Sequence, residues 1–303
     1  MKSYNRPLQR RVIINSDAKN EADDQFALVH ALLSPTLDIR GIIAAHFGTH
    51  RTTDSMMESR QEVDLLLDLL GQSGKVPVAN GAPDAIPDES TPIDSAGARL
   101  IIDEAMALTE SERPLFIGFL GPLTDMASAI LLEPSIVDKD IVVIWVGGPS
   151  HDPGIVSVGS WPEFNLKNDI AAANVVFESG VTLWQIPSSV YRMVNVGYAE
   201  LEAKVEPHGA LGSYLVKQTR EFNAQHHKVP IESRSLGDSP VVGLMLEPWG
   251  GVFRRQPPVR FSPDGHYTPS ASGSEVLVLE QADTRFLLED MYAKIAQHAE
   301  KPR

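Results

Sequence analysis

The sequence predicts an α/β protein with a mostly parallel central sheet covered by helices on both faces. Two observations carry that prediction: short apolar runs recur along the chain, and stretches of amphipathic, helical period separate them. A third, the lack of internal repeats or low-complexity linkers, makes residues 1–303 one domain. The first strand is read at residues 12–14 and runs into an acidic loop, behind which a helix over 25–33 begins. Further strands follow at 39–45, 76–79, 115–120, 141–146 and 181–186. From 248 to 274 the composition turns to Pro, Gly and Arg. Pro263-Asp264-Gly265 reads there as a hairpin turn, so this stretch is expected to form a peripheral β-excursion. A strand at 276–279 and a helix from 284 to about 298 close the fold.

Composition narrows the function. The chain has 303 residues, 43% of them apolar, enough for a sizeable core. Its 26 Lys+Arg against 40 Asp+Glu leave a net charge of −14, which repels phosphate backbones and argues against nucleic acid as a partner. The surplus acid is available to hold a cation. No cysteine is present, which excludes disulfides, thiolate metal sites and a cysteine nucleophile. The N-terminus, MKSYNRPLQRR, lacks the apolar segment of a secretion signal, and no apolar run approaches the roughly 20 residues of a membrane span. A cytoplasmic protein without a membrane partner is expected. Neither a GxGxxG or Walker loop nor a GxSxG elbow occurs, which argues against nucleotide cofactors and against that kind of serine hydrolase.

The loop after the first strand carries Asp17, Glu21, Asp23 and Asp24. It lies at a strand's C-terminal end, where open α/β sheets bind ligands, with a helix N-terminus behind it that favours negative charge. An Asp-Asp pair at a helix start is by itself more often a cap than a ligand. Three Asp between positions 17 and 24 strain that reading, because crowded carboxylates raise one another's pKa unless a cation lies between them. Oxygen donors without cysteine or a nearby histidine suit Ca²⁺ or Mg²⁺ rather than Zn²⁺.

The chain here resembles the inosine–uridine nucleoside hydrolase family, whose first strand leads into a DxDxxxDD loop that binds Ca²⁺. The loop reads Asn15-Ser16-Asp17 and then Asp23-Asp24, with Asn15 for the first Asp and two extra residues before the pair. Further matching stretches follow in order: GIIAAHFG from Gly41, NGAP from Asn80, LGPLTDMA from Leu120, VGG from Val146, PEFN from Pro162 and GDSP from Gly237. The resemblance implies a Rossmann-like fold and hydrolysis of the N-glycosidic bond of ribonucleosides. It implies a Ca²⁺ held by Asp17, Asp24, Asp238 and the Thr124 carbonyl, with Asp17 as general base. Asp23 and Asn165 would grip the ribose 2′-hydroxyl, and Glu163 would reach the 3′ and 5′ side. It also implies a homo-oligomer, dimer or tetramer. Asp238, which precedes Ser-Pro, reads equally well as the cap of a helix over 241–246.

Three departures touch substrate contacts. Gly237 stands where purine-active relatives place a histidine that assists the leaving base; Thr49 replaces the family's Asn after the second strand; Val146 replaces its Met before Gly-Gly. His226, His227 or Arg234, in the segment where relatives carry a lid, are candidates to cover or protonate the base, with His151 a weaker one. An adjacent histidine pair on a polar helix end is more often solvated surface. Two alternatives follow: a Ca²⁺-dependent hydrolase of another riboside, or a Ca²⁺-dependent carbohydrate-binding protein without turnover.

Overall fold

The computed structural model describes residues 9–109, 114–155 and 161–300; most of the N-terminal segment read above, residues 1–8, lies outside them. Its strands are β1 (Arg10–Ser16), β2 (Leu37–Ala44), β3 (Val78–Asn80), β4 (Leu115–Phe119), β5 (Ile141–Val146) and β6 (Thr182–Ile186), then β7 (Asn195–Gly197), β8 (Ser233–Ser235), β9 (Gly251–Gln256), β10 (Val259–Phe261), β11 (Tyr267–Pro269) and β12 (Val276–Ala282). Eight of them form one sheet in the order β3-β2-β1-β4-β5-β6-β12-β9. Every pairing in it is parallel except β12 with β9. The expected mostly parallel sheet is therefore present.

Strand order reverses between β1 and β4, the switch point at which doubly wound sheets open a crevice beyond their strand ends. The acidic loop leaves β1 at this crevice, and the Leu120–Leu123 turn leaves β4 beside it.

Alternation along β1 explains why both faces are dry. Val12 and Ile14 join the core on one face with Phe26, Leu28 and Val241, while Ile13 joins the other with Ile43, Ile117 and Trp145. Gly118 in β4 has a specific task. A Cβ there would lie 2.5 Å from Val241 Cγ1 and 2.6 Å from Met245 Cε, so only glycine lets the helix Ser239–Leu246 close onto the sheet. That close approach carries Asp238, at the head of this helix, to the switch point.

Two expectations need correction. The stretch 248–274 is not wholly peripheral: β9 pairs antiparallel with β12 as an edge of the main sheet, and only the β10–β11 hairpin stands apart. Gly265, at φ 80°, turns that hairpin where Pro263-Asp264-Gly265 was read. The β7–β8 ribbon was not foreseen, because three-residue strands show no period. Among the described residues, no helix is long and apolar enough to cross a membrane.

Candidate active site

The loop between β1 and the helix Asp24–Leu32 is tied down on both sides. Asn20 N donates to Asp17 O at 2.8 Å, closing a turn, and Ser16 Oγ donates to Asp24 Oδ1 at 2.5 Å. Gln25 Nε2 donates to Ala18 O at 2.5 Å and to Glu62 Oε1 at 3.2 Å, while Lys19 Nζ meets Glu62 Oε2 at 2.8 Å. Glu62 sits on the helix Ser55–Leu69, so that helix anchors the loop. Gly121, after β4, leaves room for the carboxylate of Asp17: a Cβ there would lie 2.9 Å from Asp17 Oδ1.

Asp23, Asp24 and Asp238 are buried, and each offers an oxygen within 4.8 Å of the others. Asp23 and Asp238 occupy N-cap positions, yet neither side chain makes a capping hydrogen bond. Glu163, Asp169, Ser95 and Asp283 in equivalent positions do cap their helices. Two aspartates that decline to cap and turn toward each other are held for another purpose. Burial, then the charge of Asp24, raises the pKa of Asp23 to about 7; burial raises Asp24 to about 6. Burial raises Asp17 and Asp238 well above the carboxylate range, and the neighbouring aspartates push in the same direction. Asp17 Oδ2 is buried and has no hydrogen-bond partner. Three acids whose oxygens converge, with a fourth beside them that carries an orphaned oxygen, suit a bound divalent cation, since an all-oxygen donor set is what hard cations take.

The cluster lines a cleft together with Asp17, Asn20, Glu21, Leu120, Val146, Glu163, Phe164, Asn165 and Tyr191. Glu163 accepts from Gly148 N at 2.8 Å and Leu166 N at 3.0 Å through Oε2, and from Tyr191 Oη at 2.9 Å through Oε1. Asn165 Nδ2 is committed to the carbonyls of Leu120 at 2.5 Å and Val146 at 2.9 Å, which leaves Oδ1 as its free acceptor.

A family model described as inosine-uridine preferring nucleoside hydrolase matches residues 12–285. The chain belongs to this family. As a nucleoside hydrolase it is a glycosidase, and its chemistry is hydrolysis of the bond between ribose and base. Among its relatives are two pyrimidine-specific ribonucleoside hydrolases RihA. That of Salmonella arizonae is 27% identical over 68% of this chain and 69% of its own length; that of Photobacterium profundum is 24% identical over 80% and 81%. A purine-preferring ribonucleoside hydrolase from Gardnerella vaginalis shares the fold, with a TM-score of 0.78 at 20% identity, covering 96% of this chain and 99% of that one.

Not every residue singled out in the sequence of this nucleoside hydrolase reaches the cleft. Asp17, Asp23, Asp24, Asp238, Glu163, Asn165 and Val146 line it; Thr124, Thr49, His226, His227 and Arg234 are not among its lining residues. The Thr124 hydroxyl is spent on His46 Nε2 at 2.8 Å and Asp169 Oδ2 at 2.7 Å. Thr49 and His227 are exposed, and His226 is also exposed, stacked at 4.0 Å on Phe222. Arg234 pairs with Glu21, stands 4.0 Å from Asp23 and lies 4.6 Å from the centre of the Phe222 ring. Burial lowers its pKa to about 10. His151 stacks on Tyr267 at 3.9 Å and meets Gln185 Oε1 at 2.8 Å. The sequence reading missed Tyr191; its position just past β6, at the ligand-binding edge of the sheet, was the available signal.

Proposed function

We propose that this nucleoside hydrolase cleaves ribonucleosides to ribose and free base with a calcium ion held by Asp17, Asp24, Asp238 and the Thr124 carbonyl. The observation that carries the reading is the convergence of three buried carboxylates, Asp23, Asp24 and Asp238, with Asp17 lining the same cleft close enough for their charges to raise its pKa. When bound, the cation supplies positive charge that orients the sugar diol and makes a nearby water easier to deprotonate. Asp17, with its unpartnered Oδ2, takes the proton of the attacking water as general base. The carboxylates around the sugar stabilise the positive charge that builds on the ring as the bond to the base breaks. Asp23 and Asn165 grip the 2′-hydroxyl, with Asp23 accepting its single proton, and Glu163 reaches the 3′ and 5′ side. A 2′-deoxy substrate leaves Asp23 unpaired and is rejected. We read the protein further as a single-domain, cytoplasmic homo-oligomer, dimer or tetramer, in line with the family resemblance.

The test is a screen of the common ribonucleosides with added calcium and with chelator. Base release that needs calcium and falls on the order of 10⁴-fold for the 2′-deoxy analogue is expected. Release that continues unchanged in chelator sinks the calcium reading. Gly237 favours one alternative, a calcium-dependent carbohydrate binder, because no side chain stands there to assist the leaving base. Saturable ribonucleoside binding without any base release would select it.

A further inference from the structure

Position 237 is where the resemblance puts a side chain over the departing base, and this chain has glycine there. The structure gives a steric reason. A Cβ on Gly237 would lie 2.9 Å from Tyr191 Cδ2, 3.6 Å from Tyr191 Cε2 and 3.3 Å from Asp23 Oδ2. The ring of Tyr191 therefore fills the volume in which a residue-237 side chain would begin. It arrives from another segment, the end of the short helix Ser188–Tyr191 that follows β6.

Tyr191 is held on both sides of the cleft. Ser235 Oγ donates to Tyr191 O at 2.9 Å, which ties it to β8, and Gly237 N donates to Asp23 Oδ2 at 3.0 Å just beyond. Across the cleft its phenol donates to Glu163 Oε1 at 2.9 Å, an oxygen that also accepts from Asn165 N at 3.2 Å. With the two backbone donors on Oε2, the Glu163 carboxylate has four donors that fix its orientation, and Tyr191 is the only side chain among these four. Burial, followed by the charge of Glu163, holds the Tyr191 pKa well above the usual phenol value. The phenol accordingly keeps its proton and donates it as a hydrogen bond rather than as a general acid.

We propose that Tyr191 is the specificity-determining residue of this site. Its ring is the wall that meets the leaving base in place of a side chain at 237, and its hydroxyl positions Glu163 against the sugar. The inference rests on the ribonucleoside reading above and extends it: a wall that fills this volume favours single-ring over two-ring bases. The two functions separate by substitution. Tyr191→Phe keeps the wall and loses the donor. Its kcat/KM should fall about tenfold, mainly through KM and by the same factor for every base, which is what one hydrogen bond to a charged group is worth. Tyr191→Leu opens the wall and should raise the ratio of kcat/KM for two-ring over single-ring bases about tenfold.

The experiment measures both variants on uridine and inosine, and repeats Tyr191→Phe in a Glu163→Gln background. There the phenylalanine should add little, since the group that the hydroxyl positions is already altered. A general loss of packing would instead act with equal force in either background. If wild-type protein is active while Tyr191→Phe is unaffected and Tyr191→Leu leaves the base ratio unchanged, the inference is overturned and the function reading stands. Wild-type protein that neither releases base nor binds a ribonucleoside overturns both.

Discussion

Two groups of buried acids sit a short way apart at the C-terminal edge of the same sheet, and they have opposite characters. Asp125 accepts from Asn15 Nδ2 at 3.0 Å, Ala82 N at 2.9 Å and Ser95 Oγ at 2.6 Å. Asp169 accepts from Ile86 N at 2.9 Å, Ala172 N at 2.8 Å and Thr124 Oγ1 at 2.7 Å. Burial still raises both pKa values, but donors work against it on every side. His46 belongs to the same polar layer. Burial lowers its pKa to about 4, so the neutral ring accepts from Gly48 N through Nδ1 and donates to Thr124 through Nε2. In the other group, Asp17, Asp23, Asp24 and Asp238 line one cleft, and at Asp17, Asp23 and Asp238 the neighbouring aspartates add to the cost of burial. A buried acid ringed by donors is a finished part of the scaffold, whereas buried acids ringed by acids call for a cation.

Several measurements sharpen or break that contrast. The largest effect belongs to Asp17→Ala, which should lower base release by about 10³-fold or more through loss of the general base, with folding intact by circular dichroism. Retained turnover would move the base elsewhere. Next comes a pair with opposite signs. Asp125→Ala orphans three donors and should destabilise the fold by about 3 kcal/mol in urea melts. Asp238→Ala relieves repulsion and should raise the melting temperature of the metal-free protein. If both variants destabilise it alike, the distinction between the two groups fails.

Calcium titration calorimetry separates the members of the acidic group. Asp24→Ala should weaken binding about 100-fold, a loss of the size that metal-site substitutions give. Asp23→Ala should weaken it only a few-fold if Asp23 serves the sugar rather than the ion. The geometric trio of Asp23, Asp24 and Asp238 makes this the sharpest test of the assignment, because Asp23 stands in it where the family pattern has Asp17. Equal losses would make Asp23 a ligand.

The smallest effect is in pH. The folded pKa values of Asp23, about 7, and Asp24, about 6, lie above their unfolded values near 3.8, so the native state binds more protons in between. That stability is complete below about pH 4 and is lost as pH rises through 6 to 7. Metal-free protein should therefore melt at lower temperature at pH 7 than at pH 5. Saturating calcium should reverse the trend, because it binds the deprotonated acids. A flat profile in chelator would show the acids to be better solvated than the structure indicates.

The legibility of these features follows their range along the chain. The parallel strands announce themselves because each is a local apolar run such as Ile141–Val146, buried throughout. β9 does not, since its Val252 and Phe253 are followed by Arg254, Arg255 and Gln256, which resembles a surface loop. The acidic loop was visible as a crowd of charges. Asp238, far along the chain, reads locally as an ordinary helix cap, and that its side chain turns away from capping is a tertiary fact. For Tyr191 the sequence offers only its position just past β6; that its ring occupies the space left by the absent Cβ of Gly237 is likewise a tertiary fact. The histidine pair stood out by composition, yet the helix Gly209–His226 ends with its last histidine stacked on Phe222 in the open.

The margins of the main sheet have a consequence for handling the protein. A ladder of eight strands ends in two rows of backbone groups that another chain can adopt as a template. At one margin β3 is only three residues long. At the other, β9 carries Arg254 and Arg255, exposed and paired with Glu280 and Glu275. Burying those guanidinium groups against an incoming strand is unfavourable, so this margin is guarded by charge as the first is by brevity. Neutralising both arginines should leave catalysis alone and shorten the shelf life of concentrated stocks, seen as a rise in light scattering on storage.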